Sequence, residues 1–171
     1  MAKILILNGS PHLKGNTSAM VDSFLAGAKK AQNEVVVYNV AFMNIHDSIG
    51  FQDELIHDDM NQIEKSLLSS DYVVLASPLY FFSFSGYLKN VIDRFASFKN
   101  IENKKLLLFV SMASDNPESL KPIQEQTKLI ANHLKWSFEC FSFLPSCKKE
   151  DDYKNHFGEL EKPFQMGLSI H

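Results

Sequence analysis

Residues 3–20 read KILILNGSPHLKGNTSAM, and this stretch decides the fold. KILILN is a short apolar run with the length of a buried strand. A polar turn with two glycines and one proline follows it. From Thr17 onward Met20, Phe24, Ala28 and Ala31 recur at helical spacing. A buried strand that passes through one tight loop into a helix is the first half of a βαβ unit.

The same alternation continues outward. EVVVYN (34–39) is β-branched and strand-like, and residues 40–57 are irregular and longer than an ordinary strand-to-helix connection. Asp58 and Asp59 open a helix whose apolar face is Met60, Ile63 and Leu67. DYVVLAS (71–77) is a third strand. The loop 78–85 is rich in aromatics, and 86–98 is helical through Leu88, Val91, Ile92 and Phe95. KLLLFVSM (105–112) is a fourth strand. Pro117 suits the first turn of the next helix, which carries Leu120, Ile123, Thr127, Ile130 and Leu134. WSFECFSFL (136–144) is a fifth strand. Residues 146–160 are polar and poorly periodic, and Pro163 is expected in the first turn of a last helix reaching Ser169. Strands joined by helices require a parallel sheet with right-handed crossovers. The expected fold is α/β, a flavodoxin-like three-layer sandwich around a five-stranded parallel sheet of order 2-1-3-4-5. No linker, repeat or low-complexity tract interrupts it, so residues 1–171 are read as one domain.

Composition narrows the function. The chain has 171 residues, 45% apolar and 22% charged, enough for one full core. Its net charge of −3 gives no electrostatic case for nucleic acid or an anionic membrane, and is too mild for a strongly acidic electron-carrier surface. Cys140 and Cys147 form no CxxC pair and are read as reduced thiols. Met-Ala-Lys leads straight into a four-residue apolar run, too short for a secretion signal, and no stretch approaches the roughly 20 apolar residues of a membrane span. A cytoplasmic location is expected.

In such a sheet ligands bind beyond the carboxyl ends of the strands, beside the switch between strands 1 and 3. The relevant loops are 9–16, 78–85 and 111–116. In the first, Ser10, Asn16, Thr17 and Ser18 offer neutral donors beside a helix start, and Gly9 and Gly15 permit tight backbone. That suits a phosphate; it equally suits a plain turn with Thr17 as N-cap. Neither GxxxxGK[ST] nor GxGxxG is present. In the second, Tyr80, Phe81, Phe82 and Phe84 are four rings in a loop. A flat aromatic ligand would cover them, and so would a neighbouring helix or a partner subunit.

Three motifs in order, GSPHLKGNTS (9–18), DDM (58–60) and SPLYFFSFSGYLKNVIDRF (77–95), resemble the flavodoxin-like NAD(P)H-dependent FMN reductases, in the branch that includes iron–sulfur flavoproteins. The resemblance implies that Ser10, Asn16, Thr17 and Ser18 hold the FMN phosphate, with His12 at the loop's edge. It implies that Pro78, Leu79, Tyr80, Phe81 and Phe82 line the isoalloxazine, with Ser111, Ser114 and Asp115 in the third loop beside it. It also implies a homodimer or homotetramer, and structural roles for Asp93 and Arg94. Iron–sulfur members carry a cysteine cluster just before DDM. The corresponding MNIHDSIGFQDELIH (43–57) has no cysteine, so no cluster is expected. His46, Asp47, Asp53, Glu54 and His57 remain there, and a solvated loop is the expectation over a metal site. The third loop, SMASDNP, lacks the glycines often found at that place.

No catalytic side chain is assigned, because a bound flavin carries the chemistry. The expected activity is hydride transfer from NAD(P)H, as transient donor, through FMN to a quinone, a free flavin or another small flat aromatic acceptor. The alternatives are a flavodoxin-type single-electron carrier and a non-catalytic paralogue that has lost FMN. Weak charge and the aromatic loop stand against the carrier.

Overall fold

The structure is a computed structural model that describes residues 1–50 and 52–171; Phe51 and the side chain of Glu54, the latter one of the metal candidates above, lie outside the described part. Five strands, β1 (Lys3–Asn8), β2 (Glu34–Asn39), β3 (Tyr72–Pro78), β4 (Lys105–Ser111) and β5 (Ser137–Leu144), form one sheet of order β2-β1-β3-β4-β5. Every pairing is parallel. Five helices alternate with them: α1 (Asn16–Lys30), α2 (Met60–Ser69), α3 (Gly86–Arg94), α4 (Lys121–Leu134) and α5 (Phe157–Leu168). The flavodoxin-like order expected from the alternation is the order found.

Both faces of the sheet are covered, which explains why β1, β3 and β4 read as unbroken apolar runs. Leu5, Leu7, Val73 and Leu75 pack with Ile63, Leu88 and Ile123 on the α2–α3–α4 side. Ile4, Ile6, Val74 and Phe109 pack with Met20, Phe24 and Ala28 on the α1 side. There α1 and α5 meet closely: a Cβ on Gly27 would lie 2.0 Å from the Phe164 carbonyl oxygen, and one on Gly167 would lie 2.3 Å from that of Phe24.

Several helix boundaries differ from the sequence reading. Pro163 lies inside α5, not in its first turn, because the helix already begins at Phe157. A proline there cannot donate to the Glu159 carbonyl, but its ring is buried and α5 is held along its length against α1. The weak apolar period of residues 157–162 hid that start. Pro117 opens a separate 3-10 turn (Pro117–Leu120), capped by the Asn116 side chain accepting from Glu118 N–H at 3.0 Å, and α4 starts only at Lys121. The third helix ends at Arg94 and tightens into a 3-10 turn over Phe95–Ser97. Gly15, not Thr17, is the N-cap of α1.

The irregular segment 40–57 is tied down by one buried cation. Arg94 is 2% exposed. Its Nη1 donates to Asp58 Oδ2 (2.9 Å) and to the His46 carbonyl (3.2 Å), and Nη2 donates to the Asp53 carbonyl (3.3 Å). Nε lies 3.6 Å from Asp53 Oδ2 and makes no hydrogen bond. Asp58 also accepts from His46 N–H (2.9 Å) and Met60 N–H (3.0 Å), so it caps α2 as well. Burial opposes the charge on both carboxyls. The backbone and hydroxyl donors, together with Arg94, outweigh it and hold both below the ordinary carboxylate range. Asp93 instead faces solvent and pairs with Lys89 at 2.5 Å. Among the described residues no three His, Cys, Asp or Glu side chains gather as a metal set, and no helix is long and apolar enough to cross a membrane.

Candidate functional site

A cavity of about 470 Å³ opens at the carboxyl ends of β1, β3 and β4. That size lies within the range of small-ligand sites, and the position is where a doubly wound sheet binds its ligands. Four chain segments wall it.

The first is the loop after β1, which contributes Ser10, His12, Gly15, Asn16 and Thr17. Gly9 N–H donates to the Ala76 carbonyl (2.8 Å), and a Cβ on Gly9 would meet Leu88 Cβ at 2.6 Å and Ser85 Oγ at 2.7 Å. Ser85 donates to the Gly9 carbonyl at 2.7 Å and accepts from Leu88 N–H as the N-cap of α3. It therefore locks the first loop to the third helix, a role that sequence reasoning missed. The loop's side chains are turned inward. Ser10 Oγ accepts from His12 N–H (3.1 Å), and Ser18 Oγ donates to the His12 carbonyl (2.9 Å) while accepting from Asn8 (3.0 Å). Thr17 Oγ1 and Ser111 Oγ share a hydrogen bond of 2.7 Å. What remains free is backbone. Ala19 N–H is the first amide of α1 with an internal acceptor, the Gly15 carbonyl at 2.9 Å, which leaves those of Asn16, Thr17 and Ser18 for an anion.

The second wall is Pro78, Leu79 and Tyr80. Leu79 N–H donates to the Ser111 carbonyl (2.8 Å). Tyr80 and Ser83 then exchange two backbone hydrogen bonds of 3.1 Å each, closing a two-residue turn. Both central residues are left-handed, Phe81 at φ 47° and Phe82 at φ 66°. That conformation belongs to Asn and Gly in turns of this kind, and is costly for a phenylalanine. The turn nevertheless leaves Phe81 98% exposed and Phe82 56% exposed. Neither ring lines the cavity. Phe84 turns inward and is buried in the core.

Ser111 and Ala113 supply the third wall. Ser114 and Asp115 do not reach the cavity: Ser114 Oγ accepts from Asn116 N–H (3.0 Å), and Asp115 is exposed. Ser18 likewise stays beneath the loop. The structure thus gathers Ser10, His12, Asn16, Thr17, Pro78, Leu79, Tyr80 and Ser111 around one space, and leaves Ser18, Phe81, Phe82, Ser114 and Asp115 outside its lining.

The fourth wall, residues 147–150, falls in the polar segment 146–160, for which the sequence leaves a lid and an interface equally open and indicates no place in the cavity. It follows β5, whose carboxyl end lies next to that of β4, and that adjacency is the signal that could have found it. Cys147 N–H donates to the Met112 carbonyl (2.8 Å). Asn16 holds the other end: its Nδ2 donates to the Lys149 carbonyl and its Oδ1 accepts from Tyr153 N–H, both at 2.7 Å. Both polar atoms of the Asn16 side chain are therefore committed to this strap. Burial, then Asp152 and Glu159, push the Cys147 thiol up to about 12, so it is a neutral thiol at physiological pH.

Residues 2–138 match the family model described as NADPH-dependent FMN reductase. A Bacillus subtilis protein named as an NAD(P)H-dependent FMN-containing oxidoreductase, YwqN, is 25% identical over 166 residues, covering 90% of this chain and 91% of that protein. An iron–sulfur flavoprotein of Archaeoglobus fulgidus is 32% identical over 92 residues, which span 50% of this chain and 42% of that protein. Among solved structures, an NAD(P)H:quinone oxidoreductase from Methanothermobacter marburgensis superposes with a TM-score of 0.75 at 17% identity, covering 99% of this chain and 98% of that one. That last likeness speaks for the fold.

Proposed function

This chain belongs to the NADPH-dependent FMN reductase family and is an oxidoreductase of that type, and from that premise we propose that it binds one FMN in the cavity above β1, β3 and β4 and passes reducing equivalents from NAD(P)H to a quinone, a free flavin or another small flat aromatic acceptor. One observation carries the reading. The same cavity is lined by Asn16 and Thr17, whose amides are unpaired at the start of α1, and by the apolar wall Pro78–Leu79–Tyr80. A ligand with a phosphate at one end and a flat ring system at the other fits that division.

The residues have distinct tasks in this reading. The amides of Asn16, Thr17 and Ser18 take the phosphate, with Ser10 and Thr17 hydroxyls able to rotate toward it. Pro78, Leu79 and Tyr80 exclude water from one face of the ring. Ser111, held by Thr17, borders the chain between ring and phosphate. When bound, FMN supplies the hydride chemistry, which no protein side chain in the cavity replaces. The exposed rings of Phe81 and Phe82 border the mouth, where a flat acceptor or a partner subunit covers them, and we take the working form to be a homodimer or homotetramer. Cys140 and Cys147, both free thiols, suit a reducing cytoplasm.

The test is spectroscopic. The purified chain with FMN is recorded before and after anaerobic NADPH, and separately after NADH. Bleaching of a bound-flavin spectrum in one two-electron step is the expected result and identifies the donor. Bound flavin that ignores both nucleotides would point to a single-electron carrier, and absence of bound flavin would point to a chain that keeps the fold without the cofactor.

A further inference from the structure

We propose that the strap after β5 is a phosphate-recognition element, with the ammonium groups of Lys148 and Lys149 supplying the positive charge that the loop after β1 lacks. The inference rests on the flavin reading above and deepens it. It begins from a deficit. The loop after β1 offers a phosphate dianion three neutral amides, while the side chains of Asn16, Thr17 and Ser18 are already engaged with the strap, Ser111 and His12. Among the described residues the cavity lining includes three charged residues, Lys148, Lys149 and Glu150, with the His12 imidazole beside them. The two lysines are its cations among the described residues.

The strap is a built structure. Ser146 N–H donates to the Ser114 carbonyl (3.0 Å), fixing its start to the third loop. Asp152 Oδ2 accepts from the backbone N–H of both Lys148 and Lys149, each at 2.7 Å. Asn16, the first residue of α1, fixes its end. Asp152 therefore sets the backbone of both lysines, and Asn16, whose amide opens the anion site, holds that of Lys149 as well. Their side chains are left over. Lys89, Lys121, Lys128, Lys135 and Lys154 each pair with a carboxylate. Like most lysines of the chain, neither Lys148 nor Lys149 forms an ion pair among the described residues, and the Lys149 backbone N–H and charge help to hold the Asp152 carboxyl low. A charge-assisted contact is about twice as strong as a neutral one, so two such groups matter beside three amides. Glu150 works in the opposite sense. It is the carboxylate of the lining, and its Oε1 lies 3.8 Å from His12 Nδ1.

The shared chemistry is a phosphate monoester dianion. Two sources present it here, the 5′-phosphate of FMN and the 2′-phosphate of NADPH, and the test separates them. Affinities for FMN and for riboflavin, which lacks the phosphate, are measured by flavin fluorescence on the wild-type chain and on K148A/K149A, K148R/K149R and E150Q. Steady-state KM values for NADPH and NADH are measured alongside, with thermal melts to establish that each variant is folded. The expected result is a loss of about tenfold in FMN affinity in K148A/K149A with riboflavin affinity unchanged. Retention in K148R/K149R and tighter FMN binding in E150Q complete that pattern. If FMN affinity holds and KM rises for NADPH but not NADH, the strap reads the nucleotide's phosphate instead, and the proposal stands with that source. If the double alanine variant is folded and changes neither quantity, the proposal is overturned while the flavin reading survives. A wild-type chain that binds neither FMN nor riboflavin overturns the flavin reading, and the strap proposal with it.

Discussion

In the loop after β1, Ser10, Asn16, Thr17 and Ser18 direct their polar side chains to partners within the protein, and what remains for a ligand is backbone N–H. In the turn after β3 the arrangement is reversed. Its two ends are tied by the Tyr80–Ser83 backbone pair, and what it presents outward is the rings, carried by two residues in a left-handed conformation. One loop is a rigid cradle that needs no ligand to be complete. The other carries a strained backbone and exposed apolar surface. Strain of this kind persists where the surrounding structure enforces it, and it gathers at functional sites. In the function proposed above, the first loop would anchor the ligand and the second would select the acceptor.

Substitutions that break the satisfied parts are expected to have the largest effects. Arg94→Ala leaves Asp58 and Asp53 buried beside no cation, and is expected to cost about 3 kcal/mol in urea unfolding. Acid sharpens the same point. Both carboxyls titrate below their ordinary value of 3.8 when folded, so the stability they contribute is complete above that value and is lost as pH falls through their folded values. The wild-type chain should therefore lose stability steeply below pH 3.8, and Asp58→Asn should flatten that slope. Next is Gly9→Ala, which drives a methyl into Leu88 and Ser85 and is expected to cost about 2 kcal/mol by thermal melt, together with weakened FMN binding.

The strained turn should respond with the opposite sign. Phe81→Gly relieves a positive φ and removes an exposed ring, so stability is expected to rise by about 1 kcal/mol while turnover with aromatic acceptors falls. A variant that is both less stable and fully active would break the comparison. The smallest effect belongs to Asp115→Ala. The residue is exposed and outside the cavity, so stability should change by less than about 0.5 kcal/mol and FMN affinity should not move.

The sequence revealed most where a residue's type dictates its surroundings. KILILN and KLLLFVS read as buried strands, and their alternation with helical spacing leads to the observed strand order. Gly9 and Gly15 marked a tight loop, and the loop is tight. What stayed hidden depended on partners distant in the chain. Asn16 sits where the motif places a phosphate ligand, yet its side chain turns to Lys149 and Tyr153, which no local pattern encodes. The strap lies in a polar stretch without period, and its importance comes from the position of the end of β5. Phe81 and Phe82 read as rings that need cover; their left-handed backbone has no sequence signature, since phenylalanine is a poor residue for it.

Amide hydrogen exchange, with and without FMN, tests the central claim most directly. The account predicts that FMN slows exchange in four separated segments, 9–18, 78–83, 111–113 and 146–153, with the free amides of Asn16, Thr17 and Ser18 changing most. No protection in those segments, or protection confined to another face of the sheet, would contradict it.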